Sequence, residues 1–199
     1  MLIIHKFINN MRTVILLSIL FVTCQSSDFI SFDKLQENST DGQTIFYYNN
    51  KKFSGKVCKK SNDKISLEFE LKDGIYNGFF KEFYLGGSIK KEVNYENGIL
   101  QGYENNYFEN GVMSETVNYN NGKFHGSRFV YWENGIVKEK NTFNNGVLVG
   151  NTTYYYSNGK IRKEIEFDSQ GKKDGEWIDY DAEGNKIKVE YFKSGIKLD

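Results

Sequence analysis

Residues 102–126 read GYENNYFENGVMSETVNYNNGKFHG, and variants of this stretch recur along the chain about every 24 residues. Glycines mark the repeat in three phased series. The opening series is Gly78, Gly102, Gly126, Gly150 and Gly175; the middle series is Gly87, Gly111, Gly135, Gly159 and Gly184; the closing series is Gly74, Gly98, Gly122, Gly146, Gly171 and Gly195. Three series in phase over five units predict a repeat architecture. A sixth, divergent unit starts at Gly55.

Each unit has the pattern of two strands joined by a tight turn. We expect the first strand to begin just after the opening glycine and to end in a turn such as Asn110-Gly111, because Asn-Gly tolerates the positive φ angles of tight hairpins. The second strand alternates apolar and polar residues, which predicts that Met113, Val117 and Tyr119 share one side. Tandem hairpins of this kind predict an all-β fold, an elongated antiparallel meander sheet over residues 55–199.

Two adjacent aromatic positions recur at the end of the first strand. The first, column A, holds Phe83, Tyr107, Tyr131, Tyr155 and Tyr180; the second, column B, holds Tyr84, Phe108, Trp132 and Tyr156. Neighbouring residues of a strand point to opposite faces, so the columns are predicted to lie on opposite faces of the sheet. Column A persists into the last unit and is predicted to be structural. Column B is interrupted there by Asp181 and is predicted to bind a partner or ligand.

The N-terminal segment has the features of an export signal. An apolar run over residues 14–22 ends near Cys24 and is too short to span a bilayer, which needs about 20 residues. A short basic start, such a run and a cysteine resemble a bacterial lipoprotein signal. We therefore predict a signal peptide over residues 1–23 with Met11 as an alternative start, lipidation of Cys24, a tether and divergent segment over residues 24–54, and a lipid-anchored location in the cell envelope. Ordinary cleaved secretion and an uncleaved segment are the alternatives.

Composition and the titratable residues argue against catalysis and against nucleic-acid binding. The formal net charge is zero, with both signs interspersed, whereas a nucleic-acid binder is usually basic. Cys58 is expected to be a half-buried strand residue with no disulfide partner once Cys24 is acylated. His125, expected in a turn, has no companion ligands for a metal. The recurring glutamates are expected on a solvated face; they are Glu92, Glu115, Glu139 and Glu164. The prediction is a protein without catalytic residues, metal site or cofactor.

Three features of the repeat together suggest a family resemblance. They are the aromatic pair Tyr107-Phe108, the turn Asn110-Gly111 and the closing Asn-Gly-x-x-x-Gly over residues 121–126. They resemble the MORN-repeat variant of bacterial YwqK-type proteins, and the resemblance covers residues 55–195. It implies a protein-binding role, and because such proteins are commonly labelled antitoxin components, a toxin is one implied partner. The wider MORN group is associated with membrane attachment and scaffolding. The alternative is a structural or cell-surface module that binds glycan or lipid headgroups along column B.

Overall fold

The computed structural model describes residues 28–40 and 42–199. The predicted signal peptide and the predicted lipidation site Cys24 lie outside these residues. The strands are β1 Phe29–Ser31, β2 Gln36–Thr40, β3 Gln43–Tyr48, β4 Lys51–Lys52, β5 Gly55–Ser61, β6 Lys64–Lys72, β7 Ile75–Phe83, β8 Ile89–Glu96, β9 Ile99–Tyr107, β10 Met113–Asn120, β11 Lys123–Tyr131, β12 Val137–Asn144, β13 Val147–Tyr155, β14 Ile161–Phe167, β15 Lys173–Tyr180, β16 Lys186–Lys193 and β17 Ile196–Leu198. A 3-10 turn covers Phe32–Lys34. No helix in the described part of the chain is long and apolar enough to cross a membrane.

The strands form one long sheet and one small sheet. The long sheet has 14 strands in the order β1-β5-β6 and then in chain order to β17, and β2, β3 and β4 form the small sheet. Each strand from β5 to β17 pairs antiparallel with the next, as β10 does with β11, whereas β1 joins β5 in parallel. The predicted all-β meander of successive hairpins is therefore confirmed.

The opening glycines lie inside strands, so the expectation that the first strand begins after them is wrong. Strand β9 begins directly after Gly98 and contains Gly102, which has a φ of 79°. Towards β8 the pairing passes from Val93 with Glu104 to Tyr95 with Leu100, so β9 has two extra residues around this glycine. A positive φ angle is easily adopted by glycine, and a bulge of this kind increases the local twist of a strand pair. The opening glycines are therefore bulge residues.

A second bulge changes which residues of the second strand share a side. Met113 pairs with Tyr107, but Glu115 pairs with Asn106, so Ser114 is an extra residue in β10. An extra residue shifts the alternation, which puts Met113 on the side of Tyr107. The prediction that Met113 shares a side with Val117 and Tyr119 is wrong, although those two do share one. We call the side that carries Val117 face V and the side that carries column A face A.

The best-buried apolar cluster lies at the N-terminal end of the long sheet. Phe46 of the small sheet packs there with Val57, Phe69 and Leu71, and the Phe46 and Phe69 ring centroids are 5.9 Å apart. The backbone N–H of Phe46 donates to the carbonyl oxygen of Gly74 at 2.8 Å. A Cβ atom on Gly74 would lie 2.7 Å from Ile45 Cγ2, so this close approach requires glycine. The segment expected to be a tether therefore contains a small sheet that caps the repeat array.

A further aromatic column, on face V, faces the opening glycines across the strands. Tyr95 lies opposite Gly78, and its ring centroid is 5.1 Å from that of Tyr76 and 6.2 Å from that of Phe80. The opening glycines Gly78, Gly102, Gly126, Gly150 and Gly175 pair with Tyr95, Tyr119, Phe143, Phe167 and Phe192, respectively. Each ring is thus paired with a glycine in the strand register, and its contacts with rings of adjacent strands help to hold these strands together. The alternation predicts that Tyr119 shares a side with Val117, but it does not reveal that rings stand 17 residues after each opening glycine and pair with those glycines.

Closing turns are hydrogen-bonded to side chains near the start of a neighbouring first strand. The backbone N–H of Asn97 donates to Asn77 Oδ1 at 3.1 Å, and that of Asn121 donates to Gln101 Oε1 at 2.9 Å. In the next unit the equivalent position is held by His125, which lies within β11. The expectation that His125 lies in a turn is therefore wrong. Its Nδ1 is buried without a hydrogen-bond partner among the described residues. The side chain before each opening glycine therefore serves as a turn acceptor where its chemistry allows.

The expectations for Cys58 concern its burial and its bonding. Cys58 lies in β5 with 1% of its surface exposed and is disulfide-bonded. The expectation that Cys58 has no disulfide partner depends on acylation of Cys24, so it stays a prediction. The sequence contains one other cysteine, Cys24, which lies outside the described residues.

Candidate functional site: the column B edge

Column B residues directly follow the ends of the first strands and begin the first turns. The backbone N–H of Trp132 donates to the Ile136 carbonyl oxygen at 2.8 Å, and that of Gly135 donates to the Trp132 carbonyl oxygen at 2.8 Å. Tyr84, Phe108 and Tyr156 make the same pair of turn bonds in their own units. The backbone of each column B residue is thus held by its turn, which fixes the position from which the side chain projects.

The side chains of column B differ in what they bond. Tyr84 Oη donates to the Tyr107 carbonyl oxygen at 2.7 Å, and Tyr156 Oη donates to the Tyr180 carbonyl oxygen at 2.8 Å. These bonds link the turn of one unit to the next unit, so both tyrosines also have a structural role. Phe108 has no polar atom to contribute, and Trp132 Nε1 is buried with no acceptor among the described residues. Trp132 is therefore the member of column B with a polar group and no such link.

Column A connects units in the opposite direction along the array. Tyr107 Oη donates to Glu92 Oε1 at 2.7 Å, and Tyr180 Oη donates to Glu164 Oε2 at 2.6 Å. Burial and the Glu92 carboxylate raise the pKa of Tyr107 to about 12. The hydrogen bond to Glu164, together with partial burial, raises the pKa of Tyr180 to about 12. These contacts support the structural role predicted for column A.

Two cations lie against aromatic rings at the column B edge. Lys138 Nζ is 4.5 Å from the centroid of the Trp132 ring, and Arg162 Cζ is 5.6 Å from the centroid of the Tyr154 ring. Both cations line a shallow cavity of about 320 Å³ between the third and fourth units. The lining residues are Trp132, Lys138, Tyr155, Tyr156, Ser157 and Arg162. Aromatic rings beside lysine and arginine can hold a partner through apolar contact and through charged hydrogen bonds.

Glu115 and Glu139 take part in a partly buried network on face V, so the expectation of a solvated face is wrong for them. Arg128 Nε lies 2.5 Å from Glu115 Oε1, and Arg128 Nη1 lies 3.0 Å from Glu139 Oε1. Asn141 Nδ2 donates to Glu139 Oε1 at 2.6 Å. Carboxylates in partly buried positions need such partners, because an unpaired charge away from water is unfavourable. This network binds strands β10, β11 and β12 to one another.

Glu104 makes a second charged contact on face V and is 8% exposed. Lys91 Nζ lies 2.9 Å from Glu104 Oε1, and Asn106 Nδ2 donates to the same oxygen at 3.0 Å. Burial and the neighbouring Glu104 carboxylate raise the pKa of Tyr119 to about 12. Sequence reasoning missed Glu104 and Arg128 as interior residues, because charged residues in an alternating strand are usually assigned to the solvent side.

The described residues contain no group of three or more histidine, cysteine, aspartate or glutamate side chains arranged to hold a metal ion. A second cavity, of about 410 Å³, lies on face A between the first two units. Its lining residues include Phe79, Lys81, Glu92, Tyr103 and Asn105. Here Glu92 is already engaged by the Tyr107 hydroxyl, so this cavity presents fewer unused charged groups than the cavity beside Trp132.

Four consecutive segments of the chain match a family model described as the MORN repeat variant. The matched residues are 76–97, 100–121, 124–145 and 148–169. Each match starts near the beginning of a first strand and ends at the closing turn, so it corresponds to one hairpin with its opening glycine inside. No curated protein matches the chain. MORN repeats are generally repeats that interact with proteins or membranes. Residues 76–169 therefore form a tandem array similar to the MORN repeat variant in four successive units.

Proposed function

We propose that this chain is a non-enzymatic interaction protein that presents the column B edge to a protein partner. One observation carries the proposal: Trp132 and Tyr156, from successive units, line one open cavity together with Lys138 and Arg162. Tryptophan, tyrosine and arginine are the residue types enriched where interfaces derive most of their binding energy. The rings are positioned by hydrogen-bonded turns, so little conformational entropy is lost when a partner binds.

The absence of catalysis is part of this proposal. The titratable side chains that recur through the array are engaged in structural bonds: Glu92 and Glu164 with column A tyrosines, and Glu115 and Glu139 with Arg128. A general acid or base must be free to exchange a proton with a substrate within hydrogen-bond reach. A surface of partly exposed rings and exposed cations is better suited to binding than to bond breaking.

We further propose that the protein is exported and tethered to a bacterial membrane through a lipidated Cys24. The short apolar run that ends near Cys24 and the polar residues after it support export and anchoring. The Cys24 sulfur can carry a thioether-linked lipid or a disulfide, but not both. Mass spectrometry of the protein from its own cells distinguishes the two, since an acyl-modified N-terminal peptide is expected for the tether. A Cys24–Cys58 disulfide with no lipid, and membrane fractionation unchanged by Cys24→Ser, would contradict it.

The finer version of the proposal is an antitoxin or immunity role, in which the partner is a toxin. It is supported by the resemblance to YwqK-type proteins and by the hot-spot composition of the column B edge. An affinity pull-down of the wild-type protein from its own cells tests it. Recovery of a toxin-like protein supports immunity, recovery of other envelope proteins supports a scaffold, and recovery of glycan or lipid alone supports the alternative module.

The role of column B is tested by comparing Trp132→Ala with Tyr131→Ala. We expect Tyr131→Ala to lower the free energy of unfolding by about 2 to 4 kcal/mol, the range for truncating a large packed side chain. Trp132→Ala should cost less stability and should reduce partner recovery at least tenfold. Tyr191→Ala removes an exposed ring outside columns A and B, so it is the control and should retain the partner. If Trp132→Ala is the more destabilising change and partner recovery falls only in proportion to unfolding, the assignment of column B is wrong.

A further inference from the structure

The second strand of each of the five clear units has one bulge residue near its start. It is Lys90, Ser114, Lys138, Arg162 and Ile187 in units one to five. The first-strand residue that pairs with the residue after the bulge is Glu82, Asn106, Val130, Tyr154 or Asp179 in the same units. The charge at the bulge can therefore be compared, unit by unit, with the charge at the position that could neutralise it.

Only some of the bulge cations have a carboxylate beside them. In the first unit Lys90 Nζ lies 2.7 Å from Glu82 Oε1. In the third and fourth units the position of Glu82 is occupied by Val130 and Tyr154, which cannot neutralise a cation. Neither Lys138 nor Arg162 forms an ion pair with any described residue.

The two cations without carboxylates line the same cavity. Lys138 and Arg162 contribute two positive charges, and no aspartate or glutamate is among the described residues that line the cavity. Stacking of Lys138 on the Trp132 ring holds its ammonium at the cavity while leaving N–H donors available. Arginine and lysine donors form their strongest hydrogen bonds with carboxylates and phosphates. The cavity is therefore complementary to an anionic group that approaches beside aromatic surface.

We propose that this cavity takes carboxylate side chains of an acidic segment in the protein partner, with Lys138 and Arg162 as the specificity-determining residues. The inference rests on the proposed function and names the chemistry of the partner. An acidic protein segment is favoured over a membrane surface, because lipid recognition typically uses clusters of four to eight cations. This cavity has two cations, and the whole chain has a formal net charge of zero.

Binding can be measured through Trp132 itself. The chain has two tryptophans, so Trp177→Phe leaves Trp132 as the only indole. The full chain with this change is titrated with acetyl-Asp-Glu-Asp-Glu-amide and with its neutral counterpart acetyl-Asn-Gln-Asn-Gln-amide. We expect a saturable change in Trp132 fluorescence with the acidic peptide alone, weakened when sodium chloride is raised from 50 to 500 mM because salt screens the charges. Calorimetry on the wild-type chain repeats the measurement without the reporter change.

The variants decide which residues are responsible. Lys138→Gln combined with Arg162→Gln should weaken binding of the acidic peptide at least tenfold. The matched control Lys90→Gln removes the cation that Glu82 already neutralises and should change binding less than twofold. The inference is overturned if neither peptide saturates, if the neutral peptide binds equally well, or if Lys90→Gln has as large an effect as the double change.

Two further experiments distinguish this inference from membrane binding and from the broader interaction function. Phosphatidylcholine vesicles containing phosphatidic acid are tested with the same variants; binding of vesicles without binding of the acidic peptide assigns the cations to a membrane and overturns the inference. The double variant is also used in the pull-down from cells. Full retention of the partner overturns the role of Lys138 and Arg162 while leaving the proposed interaction function standing.

Discussion

The two ends of the long sheet are built from similar strands but bury their apolar side chains to very different extents. At the N-terminal end Val57 and Phe69 are 0% exposed, whereas at the C-terminal end Ile187 is 65% and Ile196 is 70% exposed. The N-terminal end is covered on face V by the small sheet, which inserts Phe46. A single sheet can shield side chains only with their neighbours on the same face, so a dry apolar core forms where a second layer is present.

The middle of the array shows how a sheet without a second layer is held together. The face V row that carries Phe69 and Val93 near the N-terminal end continues with Glu104 and Arg128 further along. These charged residues are paired, and the rings opposite the opening glycines cover the strands next to them. The cap therefore holds a cluster of buried apolar side chains, whereas in the middle the buried Val117 lies between the charged residues Glu104 and Arg128.

The largest expected effect compares deletion of the cap with deletion of a middle unit. Removing residues 29–53 uncovers Phe69 and Leu71 and should abolish cooperative unfolding, because the buried cluster loses its second layer. Removing residues 102–125 joins equivalent positions and should leave a shorter folded β protein, since repeat stability is roughly a sum over neighbours. Circular dichroism and urea unfolding measure both. Equal loss of β signal in the two deletions would contradict the comparison.

A point substitution tests the same difference at single residues. Phe69→Ala should lower the free energy of unfolding by about 3 to 5 kcal/mol, the range for a fully buried ring. Ile196→Ala at the C-terminal end should change it by less than about 0.5 kcal/mol, because this side chain is mostly exposed. Urea midpoints of the two variants provide the measurement. A loss of more than 2 kcal/mol for Ile196→Ala would show that the C-terminal end is covered in solution.

Replacing the middle cation tests the charged network. Arg128→Met leaves Glu115 and Glu139 without their partner and should cost about 2 to 3 kcal/mol, less than a fully buried pair because these side chains are 22% to 30% exposed. Lys90→Met breaks the more exposed pair with Glu82 and should cost clearly less than Arg128→Met. Adding Glu115→Gln and Glu139→Gln to Arg128→Met should recover much of the loss in urea unfolding. No recovery would assign the effect to packing of the Arg128 stem instead.

The loss of folding stability at alkaline pH should depend on a column A tyrosine. The pKa of Tyr107 is raised to about 12 in the folded protein, against about 10 in an unfolded chain. A raised folded pKa means that this contribution is complete below pH 10 and is lost as the pH rises towards 12. Tyr107→Phe should therefore reduce the loss of stability between pH 10 and 12 by about 1 kcal/mol, allowing for screening of this partly exposed pair.

The matched control for Tyr107→Phe is Tyr131→Phe. The residue equivalent to Glu92 in the next unit is Thr116, which faces Tyr131 and has no carboxylate group. Urea midpoints at pH 7, 10 and 11.5 compare the two variants with the wild type. Identical pH profiles for both variants would mean that the contact between Tyr107 and Glu92 contributes nothing to the alkaline transition.

The smallest expected effect concerns the hydrogen bonds that the closing turns donate to Asn77 and Gln101. His125→Asn places an amide oxygen where Asn77 and Gln101 accept a backbone N–H in their own units, and where His125 Nδ1 has no described partner. We expect a gain of about 0.5 to 1 kcal/mol, the net value of one additional hydrogen bond. The reverse change in a neighbouring unit, Gln101→Ala, should lose a similar amount. A loss of stability for His125→Asn would show that the imidazole ring is retained for its packing.

Much of the fold could be predicted from local pattern, and the errors share one cause. Asn110-Gly111 identified a tight turn, and the Gly111 N–H indeed donates to the Phe108 carbonyl oxygen at 2.9 Å. Met113 was assigned to the wrong face because a bulge is a property of two paired strands and leaves no mark in the alternation of one. Arg128 was overlooked because its carboxylate partners come from strands on either side. For the candidate site, the sequence identified Trp132 and Tyr156 but not the adjacent cations.

The period of the repeat, the all-β class and the antiparallel order of the hairpins follow from the amino-acid pattern of single units. Each of these depends on residues within one unit, where turn chemistry and alternation act locally. The tertiary structure alone decided that the segment around Phe46 caps the sheet, that the opening glycines lie opposite aromatic rings, and that Lys138 and Arg162 meet in one cavity. These features require contacts between units or between sheets, and no local pattern specifies the distance between residues of different strands.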